Sequence, residues 1–286
     1  MARPGKRGTV RNSLIDARST LKDARIWSGW LDAEVLLAHV LQQERAWLHA
    51  HPERPLTARQ RRRFRDLISR RAAYEPVAYL TGEREFYGHA IRVSPAVLIP
   101  RPDTEILVEL AVEWLRDHPQ ARRVIDLGTG SGAIAIAIAK AVPSIRVTAI
   151  DLDARTVRVA EANVAEHRLV SRVTVRRRNL LQGTPAADLI AANLPYLSAA
   201  RRRTGGPELA YEPEAALDGG KDGLDLIRRA IEQAPAVIRP GGCLLFECDP
   251  LQARPIEQLA RRTWPTVKVS VHKDLAGRER VVQLEV

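Results

Sequence analysis

Apolar residues recur along this chain in two rhythms, and the switch between them divides it. The first ~80 residues keep a helical period. Within Leu31–Leu48 the residues Leu36, Leu37, Val40, Leu41 and Leu48 fall at helical spacing. Thr57 stands before Ala58–Ala72, where Phe64, Leu67 and Ile68 share a face. That pattern predicts a helix over 58–72 with Thr57 as its N-cap. No cluster of chemically active side chains occurs in this part, so it reads as a small helical bundle suited to recognition. Between Tyr74 and Arg101 the rhythm breaks up. Pro76, Gly82, Gly88, Pro95, Pro100 and Pro102 punctuate short apolar pieces such as Phe86-Tyr87 and Ala90-Ile91-Arg92-Val93. This is the composition of a hairpin and loops.

From Thr104 onward short apolar runs alternate with amphipathic stretches. The pattern predicts helices over 104–117, 154–167, 224–233 and 252–261. It predicts strands over 123–127, 146–150, 172–175, 187–192, 243–248, 267–272 and 280–285. Repeated strand–helix units predict an α/β fold with a doubly wound, mainly parallel sheet, here of seven strands. Gly277 predicts a turn that makes the last two strands an antiparallel pair at the sheet edge. Ala133–Ala139 alternates like a strand, but it follows a glycine-rich turn where the crossover to a parallel strand needs a helix, so a helix is predicted. The expected domains are a helical one over 1–83, a β-hairpin linker over 84–95, and a sheet-based one over 96–286.

Bulk properties narrow the class. The chain has 286 residues and is 45% hydrophobic, ordinary for a globular protein. No apolar run approaches a membrane span. Met1–Arg7 is basic but no hydrophobic segment follows, so no secretory signal is expected. Cys243 and Cys248 lie at an odd separation in one predicted strand and should face opposite sides, giving neither a disulfide nor a metal site. A cytoplasmic location and no metal are the resulting expectations. The net charge of +11 suits an acidic partner such as RNA, but also a solvated arginine-rich surface. The triplets Arg61–Arg63, Arg176–Arg178 and Arg201–Arg203 read as solvated faces, with no aromatic interleaving to make a stacking platform.

Two stretches carry chemistry. In the first, the apolar strand Val124-Ile125-Asp126-Leu127 runs into Gly128-Thr129-Gly130-Ser131-Gly132. Alternate glycines let the backbone turn sharply and a ligand approach without a Cβ in the way. The following helix offers free N–H groups at its start. The spacing differs from the dinucleotide pattern, which has two residues between its second and third glycines. Asp126 fits a ligand with a positively charged amino-acid tail better than a pyrophosphate. Asp151 ends the next predicted strand and can accept two hydrogen bonds from a ribose diol. The alternative is a helix N-cap, which Asp153 fits better. Asn179-Leu180, after the third strand, could read an adenine edge and pack its face.

The second stretch is Asn193-Leu194-Pro195-Tyr196, after the strand over 187–192. An amide nitrogen is a poor nucleophile because its lone pair is delocalised into the carbonyl. In-line methyl transfer needs that lone pair aimed at the methyl carbon. The Asn193 side-chain oxygen and the Leu194 backbone carbonyl could accept both N–H protons and hold the nitrogen so. Pro195 fixes φ, and Tyr196 offers a flat wall. This is positioning and electrostatic preorganisation rather than general-base catalysis. A simple strand-ending turn would use the same residue types.

These motifs resemble a known family, the peptide chain release factor glutamine methyltransferases (PrmC/HemK). Glu75–Glu83 with Phe86-Tyr87-Gly88 is similar to that family's inter-domain signature, and Val97–Glu105 to its segment before the cofactor strand. Asp126–Gly132, Ala216–Gly220 with Asp222-Gly223-Leu224, and Asp274–Arg278 also match. The resemblance implies a class I methyltransferase sheet, S-adenosyl-L-methionine as donor and S-adenosyl-L-homocysteine as product. The implied acceptor is the glutamine of the Gly-Gly-Gln motif in class 1 release factors. Gly128, Thr129, Gly130, Ser131, Gly132, Asp151, Asn179, Leu180 and Asn193 would line the donor site. Asn193, Leu194, Pro195 and Tyr196 would hold the glutamine, and the helical domain would grip the release factor. A monomer with no membrane attachment and no required nucleic-acid contact is expected. The family usually has a proline where Leu194 stands, which predicts a less rigid loop here. It often has an acidic residue and an aromatic at Asn179-Leu180, and Glu247-Cys248-Asp249 also departs from its pattern. Asn-Leu-Pro-Tyr is the spelling of ribosomal RNA adenine dimethyltransferases too. The competing expectations are therefore methylation of a ribosomal-protein glutamine or of adenine in RNA or DNA, and a non-catalytic nucleotide- or RNA-binding module.

Overall fold

In the computed structural model, which describes residues 8–286, tertiary packing divides the chain into Met1–Gly82 and Glu83–Val286. The basic segment Met1–Arg7 lies outside the described residues.

The first unit is helical: α1 (Val10–Asp23), α2 (Gly29–Leu41), α3 (Arg45–Ala50), α4 (Ala58–Ala72) and α5 (Val77–Thr81). The helical pattern read across Leu31–Leu48 is two helices, because Gln42 takes a left-handed conformation (φ 53°) and ends α2. Thr57 caps α4 as predicted, in a reciprocal capping box with Gln60. Leu14, Leu21, Leu36, Leu37, Phe64 and Leu67 form its core. Gly29 lets α1 and α2 touch, since a Cβ there would lie 2.8 Å from that of Leu21.

The second unit begins with a hairpin of β1 (Glu83–Phe86) and β2 (His89–Arg92). Its turn residues Tyr87 and Gly88 both have positive φ, the geometry of the tight two-residue hairpin turn. There follow α6 (Glu105–Asp117), β3 (Arg123–Leu127), α7 (Ala133–Ala141), β4 (Arg146–Asp151), α8 (Ala154–Glu166), β5 (Val173–Arg177) and β6 (Ala187–Ala192). Then come α9 (Ala199–Thr204), α10 (Asp225–Gln233), β7 (Ile238–Glu247), α11 (Ala253–Thr263), β8 (Lys268–Lys273) and β9 (Glu279–Glu285). The seven strands lie in the order β5-β4-β3-β6-β7-β9-β8. β3 to β7 pair in parallel, and β9 runs antiparallel to both β7 and β8. The short helix α9 and the 3₁₀ turns between Pro207 and Ala216 had no apolar rhythm to announce them.

Ala133–Ala139 is a helix, and every residue of it is buried. One face of the sheet packs with α6, α7 and α8, the other with α10 and α11. Cys243 lies in the first of these cores and Cys248 in the second, the opposite facing that their spacing predicted. Both are free thiols. Burial pushes the Cys248 thiol up to about 12, so it is protonated at neutral pH. Arg61, Arg62, Arg63, Arg176 and Arg177 are exposed. The side chains of Arg202 and Arg203 are outside the description. No described helix is long and apolar enough to cross a membrane.

Asn163 on α8 stitches the hairpin to the loop after β3. Its Oδ1 accepts the Arg92 N–H at 2.9 Å, and its Nδ2 donates to the carbonyls of Arg92 (2.9 Å) and Ser131 (2.8 Å). Asn163 is fully buried, so no water can replace these bonds. Asn163→Ala should therefore lower unfolding free energy by about 3 kcal/mol, the cost of stranding buried backbone groups. Urea denaturation of the two proteins measures it.

Candidate active site

The two chemistry-bearing stretches leave adjacent strands at one level. β3 pairs with β6 so that Leu127 stands opposite Ala192. Gly128 and Asn193 are the next residues on each side. The strand order reverses direction at β3, where such sheets bind ligands beyond the carboxyl ends of their strands.

Gly128, Gly130 and Gly132 all have positive φ (76°, 57° and 84°), which only glycine adopts without strain. A Cβ on Gly128 would come within 2.9 Å of Leu194 Cδ2, so the missing side chain is what lets the two loops touch. A Cβ on Gly130 would meet only the Gly128 carbonyl, at 4.0 Å, so this residue faces open space. Gly128 and Gly130 are partly exposed while Thr129, Ser131 and Gly132 are buried. The loop therefore offers backbone, not side chains, to its open side.

Asp126 does not face that side. It is fully buried, and its Oδ2 accepts from Thr129 Oγ1 (2.5 Å) and the Ala135 N–H (3.0 Å). The carboxylate caps the first turn of α7 and staples the loop from below, in place of the direct ligand contact expected from sequence. Its Oδ1 is buried and has no hydrogen-bond partner among the described residues. Burial pushes this carboxyl up to about 7, against the opposing effect of its two donors.

Asp151 ends β4 beside the loop. Its Oδ2 accepts the Gly130 N–H and its Oδ1 the Asp153 N–H, both at 3.1 Å. Each oxygen keeps a lone pair for a further donor. Asp153, not Asp151, caps α8, its Oδ1 accepting the Arg155 N–H at 2.7 Å. Burial raises the Asp151 carboxyl above its ordinary value. Beyond β5, Asn179 Oδ1 accepts from Arg229 at 3.1 Å, and Leu180 is buried in the α10–α11 core with φ 52°.

At the second loop Asn193 Nδ2 donates to Thr104 Oγ1 at 3.0 Å. Among the described residues nothing bonds Asn193 Oδ1 or the Leu194 carbonyl oxygen. Leu194 itself is buried. The Tyr196 hydroxyl donates to Glu247 Oε1 at 3.1 Å, and burial together with that carboxylate holds the phenol well above its usual range. Asn193 to Leu197 line a cavity of about 200 Å³ with Leu98, Arg101, Leu209, Ala216 and Leu217.

Sequence reasoning missed Glu212 altogether, and it gave the glycines of 219–223 as a motif without a role. Glu212 is buried, pairs with Arg101 and accepts the Ile99 N–H at 3.2 Å, closing one wall of the cavity. Gly219 and Gly223 back the acceptor loop: a Cβ on either would strike the Pro195 carbonyl (2.7 Å) or the Tyr196 carbonyl (2.2 Å). That close approach explains Gly219 and Gly223, while a Cβ on Gly220 would strike the Asp225 carboxylate.

Residues 13–82 match the family of the PrmC N-terminal domain and residues 103–205 that of the methyltransferase small domain. A release factor glutamine methyltransferase of Bordetella pertussis is 42% identical over 254 residues, 88% of this chain and 93% of the relative. Another, of Koribacter versatilis, is 38% identical over 278 residues, 96% of this chain and 97% of the relative. Of solved structures, the N-terminal domain of human METTL16 in complex with SAH aligns with TM-score 0.51 and 18% identity, over 78% of this chain and 83% of that one. A T. thermophilus 16S rRNA methyltransferase in complex with AdoMet and guanosine aligns with TM-score 0.52 and 18% identity, over 71% of this chain and 49% of that one. Likeness at this identity establishes the fold.

The buried Asp126 carboxyl gives stability a pH dependence of definite sign. Its folded value is raised to about 7 from an ordinary 3.8, so between these values the folded chain holds a proton that the unfolded chain has lost. The contribution of Asp126 is fully present at low pH and is lost as pH rises through about 7. Its slope is at most about 1.4 kcal/mol per pH unit. Melting temperatures from pH 5 to 8 should fall more steeply for the unaltered chain than for Asp126→Asn. Parallel curves would contradict the assignment.

Proposed function

The chain belongs to the release factor glutamine methyltransferase family, and on that premise we propose the reaction and the roles of its residues. It transfers a methyl group from S-adenosylmethionine to the side-chain amide nitrogen of the glutamine in the Gly-Gly-Gln motif of class 1 release factors. The observation that carries this reading is the pair of free acceptors, Asn193 Oδ1 and the Leu194 carbonyl, on adjacent residues above the glycine loop. A primary amide has two N–H protons to give. Two fixed acceptors take both and leave the lone pair as the nitrogen's free direction.

The residues around the loop fit the donor. Gly128 and Gly130 expose backbone, the space above Gly130 is open, and Asp151 has lone pairs to spare for a ribose diol. S-adenosylmethionine, when bound, supplies an electrophilic methyl group on a sulfonium. The chain's part is to hold and orient. Asp151 binds the ribose, Leu180 and Asn179 close the adenine end, and Asn193 lies between the donor and acceptor regions. The 200 Å³ cavity lined by Leu98, Pro195, Tyr196 and Leu217 takes the glutamine side chain. Asp126 and Glu247, both raised by burial, lie beneath the site, and no general base is needed before the methyl group moves.

We assign the helical unit to release-factor recognition. It exposes Ile15, Trp27, Trp30 and Leu31, with Trp27 at 97% of full exposure. Aromatic side chains of this kind anchor protein interfaces.

Labelled S-adenosylmethionine should transfer its methyl group to an intact release factor and not to one whose Gly-Gly-Gln glutamine is replaced. Label on ribosomal RNA or ribosomal proteins alone would sink the assignment. Asn193→Ala should lower kcat by about 100-fold or more with little change in donor Kd, because the lost acceptor acts on the nucleophile. Asp151→Ala should do the reverse, raising donor Kd by about tenfold, the worth of one charge-assisted hydrogen bond.

A further inference from the structure

The acceptor loop rests on a buried relay whose members take no part in making or breaking bonds. Asn193 Nδ2 donates to Thr104 Oγ1 at 3.0 Å. Thr104 is 3% exposed, and beside its hydroxyl lies the carboxyl of Glu247, which is 1% exposed. The Tyr196 hydroxyl donates to the same carboxyl at 3.1 Å, on Oε1, while Oε2 is buried and has no hydrogen-bond partner among the described residues. Glu247 ends β7, and Thr104 stands just before α6. Next to it, Asp103 is tied to Arg280 on β9 at 3.2 Å, and Arg280 is tied to Asp274 at 3.1 Å.

An asparagine amide has an accepting end and a donating end of nearly the same shape. Turned by half a rotation, Asn193 would present an NH₂ to the substrate NH₂, two donors face to face. Something must fix the choice. Thr104 Oγ1 does so only if it accepts, and once it accepts, its own proton must go to another acceptor. At 3% exposure that acceptor is not water. The Glu247 carboxylate is the group beside it, with one oxygen taken by Tyr196 and the other free.

We propose that Thr104 and Glu247 are positioning residues for the acceptor amide: Thr104 sets which end of Asn193 faces the glutamine, and Glu247 fixes Thr104 and Tyr196 together. The proposal rests on the methyl-transfer reading above. It asks for an acceptor of two hydroxyls, which the two oxygens of Glu247 supply.

The test compares Thr104→Val, which keeps the side-chain volume and removes the hydroxyl, with Thr104→Ser, which keeps the hydroxyl. Thr104→Val should lower kcat by about 100-fold while donor Kd by calorimetry stays within about twofold, the pattern of a misaligned reacting group. Thr104→Ser should recover most of the loss. Adding Glu247→Gln to Thr104→Val should cost less than its effect alone, since both act through one amide. Equal losses in the Val and Ser variants, or parallel losses of kcat and donor affinity, would overturn the proposal.

A second readout does not depend on turnover. In the unaltered chain one Asn193 Nδ2 proton should exchange slowly with solvent by NMR, and Thr104→Val should abolish that protection. Exchange that is the same in both proteins overturns the relay. Protection that depends on Thr104, in a chain that leaves release factor unlabelled, supports the relay and counts against the substrate assignment instead.

Discussion

The pairing of β3 with β6 is the constraint on which the site depends. It sets Leu127 level with Ala192, so that a glycine turn and an asparagine turn leave neighbouring strands together. A slip of one residue would move them apart by about 3.3 Å and turn the buried faces of the strand to the wrong side. Gly128 then sets how closely the turns approach. Its φ of 76° and the 2.9 Å between a would-be Cβ and Leu194 Cδ2 make two independent demands for glycine. The glycine loop and the asparagine loop are thus in contact, which is the arrangement that the proposed in-line transfer asks for.

Buried carboxylates hold the loops in that arrangement. Asp126 ties the glycine turn to α7, Glu212 ties the 97–101 segment to the 3₁₀ turns, and Glu247 underlies Asn193 and Tyr196. Burial pushes Asp126 and Glu247 upward, a sign that each ionised form is costly where it stands. Donors from the loops offset part of that cost, and loop order follows from the need to satisfy the carboxylate. Charge in this unit is used beneath the site to organise backbone. The open side is left to glycine backbone, Asp151, one amide and one carbonyl.

Much of this was legible in the sequence because it is local. Apolar period and glycine placement located all seven strands, the crossover helix over Ala133–Ala139 and the opposite facing of Cys243 and Cys248. Asn193–Tyr196 and Gly128–Gly132 were readable as motifs because their chemistry lies in consecutive residues. What was not legible is long-range. Alternation along β7 places Glu247 on the same face as Cys243, but nothing in its neighbourhood says that Thr104 and Tyr196 are its partners. The pairing of Arg101 with Glu212 joins segments on either side of four strands. Asp126 was misjudged for a related reason: a carboxylate before a glycine turn looks ligand-facing until α7 is seen to need a cap. The break at Gln42 was missed because a left-handed glutamine leaves the apolar spacing on both sides undisturbed.

Leu194 shows how packing can stand in for a covalent constraint. A proline there would fix φ through its ring, and its replacement by leucine predicts a looser loop. The leucine side chain is 3% exposed, lies against Gly128 and belongs to the core under α10 and α11. Moving the loop would pull that side chain from the core, at a cost of about 2 kcal/mol for a buried leucine. A proline ring reaches less far, so only the leucine ties the acceptor loop to the glycine turn and the core at once. The carbonyl we propose as an acceptor for the substrate N–H belongs to the same residue as the buried anchor, so the position of that oxygen is set by core packing beneath it.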